Sequence, residues 1–138
     1  MKTIRLPARI ENLESFTRFL SEFLLANGFS GERVQEIELA AEEALVNVIR
    51  YAYPEKPGDL EIRCRAEGDG ALTMEFEDSG VEFDPTSLPD PDLKLSISER
   101  EIGGLGVFLI RKMVNEVRHR REGDRNILTF VVRKRRGD

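Results

Sequence analysis

Cysteine, histidine and long apolar runs are all scarce in this sequence. A single cysteine, Cys64, excludes an internal disulfide and a multi-cysteine zinc site, and fits a reducing cytoplasm, the expected location. A single histidine, His119, excludes a His-rich metal site. Its neighbours Val117, Arg118 and Arg120 read as strand, which disfavours a phospho-accepting histidine on an exposed helix. No apolar run approaches the roughly 18 residues that a membrane-crossing helix needs. Residues 1–10 alternate in polarity, so no signal peptide is expected. Basic residues number 21 against 26 acidic ones, and the net charge of −5 argues against non-specific nucleic-acid binding.

What is present suits one folded domain. Over 138 residues, 40% are hydrophobic and 34% charged, enough for one core and against disorder. A single domain over residues 1–138 is therefore expected. The charge is uneven: residues 118–136 are rich in arginine, while 36–43 and 75–92 are acidic. The basic end reads as a solvated edge strand guarded by charge, or as a place for an anionic ligand or partner.

Periodicity gives the elements. Ile4 and Leu6 alternate with Lys2 and Arg5 in a short strand ended by Pro7. Residues 11–26 put Leu13, Phe16, Phe19, Leu20, Phe23 and Leu24 on one helical face, and Asn27-Gly28 stops the helix. Ser30 is the expected N-cap of a second helix over about 32–53, ended by Pro54. Its apolar face is Val34, Ile37, Ala41, Ala44, Leu45, Val48 and Ala52. Leu60, Ile62 and Cys64, then Leu72, Met74 and Phe76, form a hairpin about residues 67–70. Residues 78–103 show no clear period. A helix over 104–114 and strands over 117–121 and 127–134 complete the chain. The expected fold class is α+β, a two-layer α/β sandwich with helices on one face of a mostly antiparallel, mixed sheet.

Three local patterns carry chemistry. Glu43 and Asn47 are four apart on the second helix, one turn above the other, on the flank of its apolar face. A carboxylate there can act as a general base, and an amide oxygen can ligate a hard cation such as Mg²⁺. A solvated helix face explains the same spacing. Asp78-Ser79-Gly80 ends a strand. An aspartate there can accept a hydrogen bond from an exocyclic amine while glycine lets the backbone pass a flat ring; a simple turn is the plainer explanation. Gly103-Gly104-Leu105-Gly106 opens a helix whose backbone N–H groups can face an anion, although no Lys follows as in the phosphate loop.

The combination is more specific than its parts. Glu42-Glu43-Ala44-Leu45-Val46-Asn47, then Asp78-Ser79-Gly80, then Gly103-Gly104-Leu105-Gly106, resembles the ATP-binding (Bergerat, or GHKL) fold of histidine kinases, gyrase, Hsp90 and mismatch-repair ATPases. It is most similar to the stand-alone anti-sigma regulatory serine/threonine kinases of that superfamily. The resemblance implies ATP and Mg²⁺ as cofactors, with Glu43 as catalytic base and Asn47 as Mg²⁺ ligand. It places Asp78 on the adenine amine, Gly80 beneath the ring, and Gly104 and Gly106 at the phosphates. Thr129 would help bind adenine through water. It also implies a flexible ATP lid of about 86–102, in which Arg100, or else Lys94, would sense the γ-phosphate. Two departures stand out: Glu82 replaces a second glycine of the adenine motif, and Tyr51 replaces a histidine.

The implied function is phosphorylation of a small anti-sigma-factor antagonist, a STAS-domain protein, in partner switching with a sigma factor or other target. Nucleic acid and membrane are not expected partners. Two alternatives stay open: a nucleotide-binding sequestration module, motivated by Glu82, and a detached histidine-kinase catalytic domain. A homodimer is implied, through the first strand as an exposed sheet edge or the Phe-rich first helix.

Overall fold

The computed structural model describes residues 1–87 and 104–135. Five strands form one sheet: β1 (Lys2–Pro7), β2 (Asp59–Ala66), β3 (Leu72–Asp78), β4 (Glu116–Glu122) and β5 (Arg125–Val132). Their spatial order is β1-β2-β3-β5-β4. All four pairings are antiparallel, so the described sheet is more uniform than the mixed one expected. The β2–β3 loop closes through the Glu67 N–H donating to the Ala71 carbonyl at 2.8 Å.

Three helices cover one face: α1 (Leu13–Ala26), α2 (Gly31–Asn47) and α3 (Gly104–Met113). Ser30 caps α2 as expected, its hydroxyl accepting from the Arg33 N–H at 3.1 Å. Gly28 ends α1 at φ +84, a conformation that lets the Phe29 N–H reach back to the Leu24 carbonyl at 3.1 Å. Helix α2 does not run unbroken to Pro54. From Val48 to Ala52 it widens into a π-turn, a form that occurs mostly as single turns and is frequent at functional sites.

The core lies between the helices and the inner face of the sheet. Phe16, Leu20 and Leu24 of α1 and Ile37, Ala41, Ala44 and Leu45 of α2 pack on Ile62, Met74, Phe76 and Phe130. Phe76 and Phe130 meet edge to face, ring centres 4.9 Å apart. The whole apolar face expected of the second helix is buried. Phe19 and Phe23 are partly buried against the same core, so the phenylalanines of α1 serve this chain's own packing.

The outer face of the sheet is a lattice of opposite charges. Arg63 pairs with Glu61, Glu75 and Glu77, Arg65 and Arg120 reach Glu75, and Arg125 reaches Glu77. β4, which carries part of the arginine-rich end, is an edge strand with alternating exposure. That matches charge used to guard an edge.

One buried cation organises the far end of the helices. Arg33, only 2% exposed, donates to the Met113 carbonyl at the end of α3, to the Arg133 carbonyl and to the Asn115 side chain. It also pairs with Glu36 at 3.3 Å. The guanidinium therefore ties α2, α3 and the end of β5 together.

Candidate functional site

Two of the candidate residues come from the last turns of α2. Glu43 is half-buried. Burial raises its carboxyl above the usual range, Glu42 adds to the rise and Arg50 opposes it. Asn47 sits deeper than the flank position expected from the helical wheel. It is 2% exposed, and its Nδ2 has no hydrogen-bond partner among the described residues. A buried amide donor without an acceptor is costly and rare. It fits a position built for a ligand that carries oxygens.

The end of β3 supplies the next part. Asp78 is 3% exposed. Its Oδ1 accepts from the Gly80 N–H at 2.9 Å and from Asn126 Nδ2 at 2.8 Å. Those two bonds occupy one oxygen and leave Oδ2 as the remaining acceptor. Burial raises this carboxyl above its usual value, opposed by the Asn126 and Gly80 hydrogen bonds and by Arg121 and His119. Gly80 lies against the π-turn, and the Val81 N–H donates to the Ala52 carbonyl at 2.8 Å. Arg121 donates to the Gly80 carbonyl at 2.8 Å. Tyr53 closes the other side: the Ser79 N–H donates to its hydroxyl, which donates to the Asp59 carbonyl. A cavity of about 800 Å³ adjoins this loop, bounded by Ala52, Tyr53, Pro57, Gly80, Val81 and Arg121. It includes none of Glu43, Asn47 and Asp78.

The remaining candidates divide. Gly104 opens α3 and Gly106 lies in its first turn, as expected. Arg100 and Lys94, and most of the expected lid, lie outside the described residues. Thr129 is not brought to the others. In β5 the residue opposite Asp78 is Asn126, and Thr129 lies opposite Glu75. Side chains an odd number of positions apart leave opposite faces of a strand, so Thr129 is on the outer, charged face. Glu82 is exposed. Tyr51 stacks on Phe83 with ring centres 5.0 Å apart.

Sequence reasoning missed Asn126. It is buried, and its Nδ2 also donates to the Val81 carbonyl at 2.8 Å, while its Oδ1 accepts from the Phe83 N–H at 3.2 Å. The sequence signal for it was weak: Asn126 is in phase with Leu128, Phe130 and Val132, but Ile127 and Val131 make the other phase apolar as well.

A helix-covered antiparallel sheet, with an acid and an amide on its central helix and a strand-end aspartate, defines the histidine kinase-like class of ATP-binding folds. The family model for the histidine kinase-like ATPase domain matches residues 6–132, and the chain belongs to that family. It is 28% identical over 121 residues to the serine-protein kinase RsbW of Listeria innocua serovar 6a, covering 84% of this chain and 76% of that protein. It is 27% identical over 114 residues to the serine/threonine-protein kinase BtrW of Bordetella bronchiseptica, covering 82% and 80%. Among solved structures, the RsbU and RsbW domains of a Mycobacterium tuberculosis protein superpose with a TM-score of 0.65 at 17% identity. That match covers 96% of this chain and 32% of that one. A histidine kinase domain from Erythrobacter litoralis gives 0.55 at 18% identity, covering 87% and 60%. These two likenesses speak to the fold.

Proposed function

We propose that this protein binds ATP between α2, the Asp78–Gly80 loop and the start of α3, and transfers the γ-phosphoryl group to a serine or threonine of a small STAS-domain antagonist. The observation that carries this is the pair on α2: a buried Asn47 amide without a partner, one turn from a half-buried Glu43. The likeness to serine-protein kinases supports the choice of acceptor.

The residues divide the work. Asp78 Oδ2 accepts from the adenine amine. The N–H groups at the start of α3 face the phosphates. Asn47 suits a cation held with those phosphates, its carbonyl end being a hard oxygen and its amide end a donor to a phosphate oxygen. When bound, Mg²⁺ would neutralise charge on the phosphate oxygens. Glu43, its carboxyl raised by burial, takes the proton from the acceptor hydroxyl as that oxygen bonds to the γ-phosphorus. The bond from phosphorus to the bridging oxygen breaks and ADP leaves. Added phosphate charge on the antagonist would then change its affinity for this protein. The expected setting is the cytoplasm; among the described residues no helix is long and apolar enough to cross a membrane. The open edge of β1 is the proposed dimer contact.

Calorimetric titration with ATP, with and without Mg²⁺, tests the first half. Saturable binding that weakens about 100-fold or more in Asp78→Asn is expected, because a donor then faces a donor. No binding to the wild type would refute the nucleotide site. Incubation with labelled ATP and a purified STAS-domain antagonist tests the second half. An acid-stable phosphoprotein is expected, and an acid-labile one would indicate histidine as acceptor.

A further inference from the structure

We infer that the C-terminal end of α3 carries a second anion site, separate from the nucleotide site, for a small ligand bearing phosphoryl groups. The inference does not depend on the ATP reading.

A cavity of about 420 Å³ opens where α3 ends, lined chiefly by Arg33, Lys112, Asn115, Arg133, Lys134 and Arg135. That volume is within the range of small-molecule sites. No acidic residue among the described ones lines it, in a chain whose acids outnumber its bases. Five cations meet there from α2, α3 and the segment after β5. Arg33 and Arg135 share Glu36, at 3.3 and 2.6 Å, and Arg133 pairs with Asp69 at 2.8 Å. Lys112 and Lys134 have no ion pair or hydrogen bond among the described residues. Lys112 stands over the Phe108 ring, 5.5 Å from its centre. Lys134 reaches from the rim to Gly28, where a Cβ would fall 2.8 Å from its Nζ. Five cations are thus answered by two carboxylates, which leaves an excess of three positive charges.

The cavity also holds a directed donor. Asn115 Oδ1 accepts from Arg33 Nη2 at 3.0 Å and from the Arg133 N–H at 2.8 Å. Both partners are donors, so the orientation of the amide is determined. Nδ2 is the end left to donate, and it has no acceptor among the described residues. Arg33 itself is spent on the Met113 and Arg133 carbonyls and on Asn115. It thereby covers the negative end of α3, which would otherwise repel an anion.

Charge selects the ligand class. A single carboxylate would answer one of the three excess charges. A phosphoryl group brings a charge of about −1.5 to −2 and three acceptor oxygens, so two or three linked phosphates match the excess. Lysines on flexible stems can follow such a ligand as point charges. The place is distinct from the nucleotide site. Arg33 lies about 20 Å from Asn47 along α2, and α3 separates its own two ends by about 15 Å.

The test is calorimetric titration of the full chain with inorganic tripolyphosphate, without Mg²⁺, at about 0.15 M salt to screen diffuse attraction. Three variants are compared: Lys112→Gln with Lys134→Gln, Asn115→Asp, and Asn47→Ala. Saturable binding is expected in the wild type. It should weaken about tenfold or more when both lysines are neutralised. Asn115→Asp keeps the acceptor for Arg33 and Arg133 but replaces the free donor with an acceptor, and should weaken binding by a similar factor. Asn47→Ala, at the nucleotide site, should leave this binding unchanged. Both lysines are exposed, so thermal midpoints of the double variant should match wild type. No saturable binding to the wild type would overturn the inference. So would unchanged affinity in the double lysine variant, or loss of binding in Asn47→Ala, which would put the anion in the nucleotide site instead.

Discussion

Gly80 lies directly on Ala52: a Cβ placed on Gly80 would fall 2.1 Å from the Ala52 carbonyl oxygen. The same oxygen accepts the Val81 N–H at 2.8 Å. The loop that carries Asp78 is thus seated on the turn that ends the α2 helical run, with no room for a side chain between them.

Gly80→Ala should therefore push the loop off Ala52. The expected result is a loss of about 2 kcal/mol or more in stability, the scale of overpacking a tight contact, with weaker ATP binding. Urea denaturation and calorimetry check both. Wild-type stability and affinity in this variant would show that the loop can move without cost.

Glu43→Gln separates stability from chemistry. The folded carboxyl is raised, so the native state binds more protons than the unfolded chain just above the usual carboxylate range. Stability contributed by this group is full below the unfolded value and is lost as pH rises through the folded one. The variant should thus be at least as stable as wild type at neutral pH. Any advantage should vanish in acid. Phosphotransfer should fall about 100-fold or more, the scale of a missing general base, with ATP affinity little changed. Transfer that survives would remove Glu43 as the base.

Arg33→Ala should be the most destabilising single change outside the site. It removes the donor to the Met113 and Arg133 carbonyls and to Asn115, and it breaks one of the two ion pairs of Glu36, keeping the one to Arg135. Buried groups that lose a charged partner typically cost about 3 kcal/mol or more. A urea midpoint within error of wild type would contradict this.

Cys64 should be silent in the folded protein. It is fully buried, and burial pushes its thiol up to about 12, far from the reactive thiolate at neutral pH. A thiol reagent should label no site in native buffer and one per chain in urea. Rapid native labelling would mean that β2 opens readily.

Much of this was legible in the sequence because it is carried by local pattern. The alternation in β2 and β3, the apolar face of α2 and the Ser30 cap all follow from spacing and residue type. What the pattern did not give depends on cover of both sheet faces or on partners distant in the chain. In β5, Asn126 to Phe130 are all buried, so both faces lie under cover and alternation cannot say which one Thr129 joins. Asn126 follows a turn, where asparagine is ordinary, and only the register opposite Asp78 gives it a role. Asn47 was placed on the flank by angle alone, but it lies three residues from buried Ala44 and is drawn inside. The burial of Arg33 depends on carbonyls 80 and 100 residues away, beyond the reach of any local pattern.

The π-turn at Val48–Ala52 also divides the molecule's tolerance to change in length. A π-turn accommodates one more residue than an α-helix would in the same rise, which delays every side chain after it relative to those before. Glu43 and Asn47 precede the delay; Ala52 and Tyr53 follow it. Deleting one residue within the turn would let the run close into an ordinary α-helix, with Glu43 and Asn47 in phase with the core and Ala52 near its present place. Adding one would instead turn Ala52 by about 100° away from Val81 and Gly80. The acid and amide would then stay aligned while the Asp78–Gly80 loop lost its seat, so this stretch should accept a shorter chain far better than a longer one.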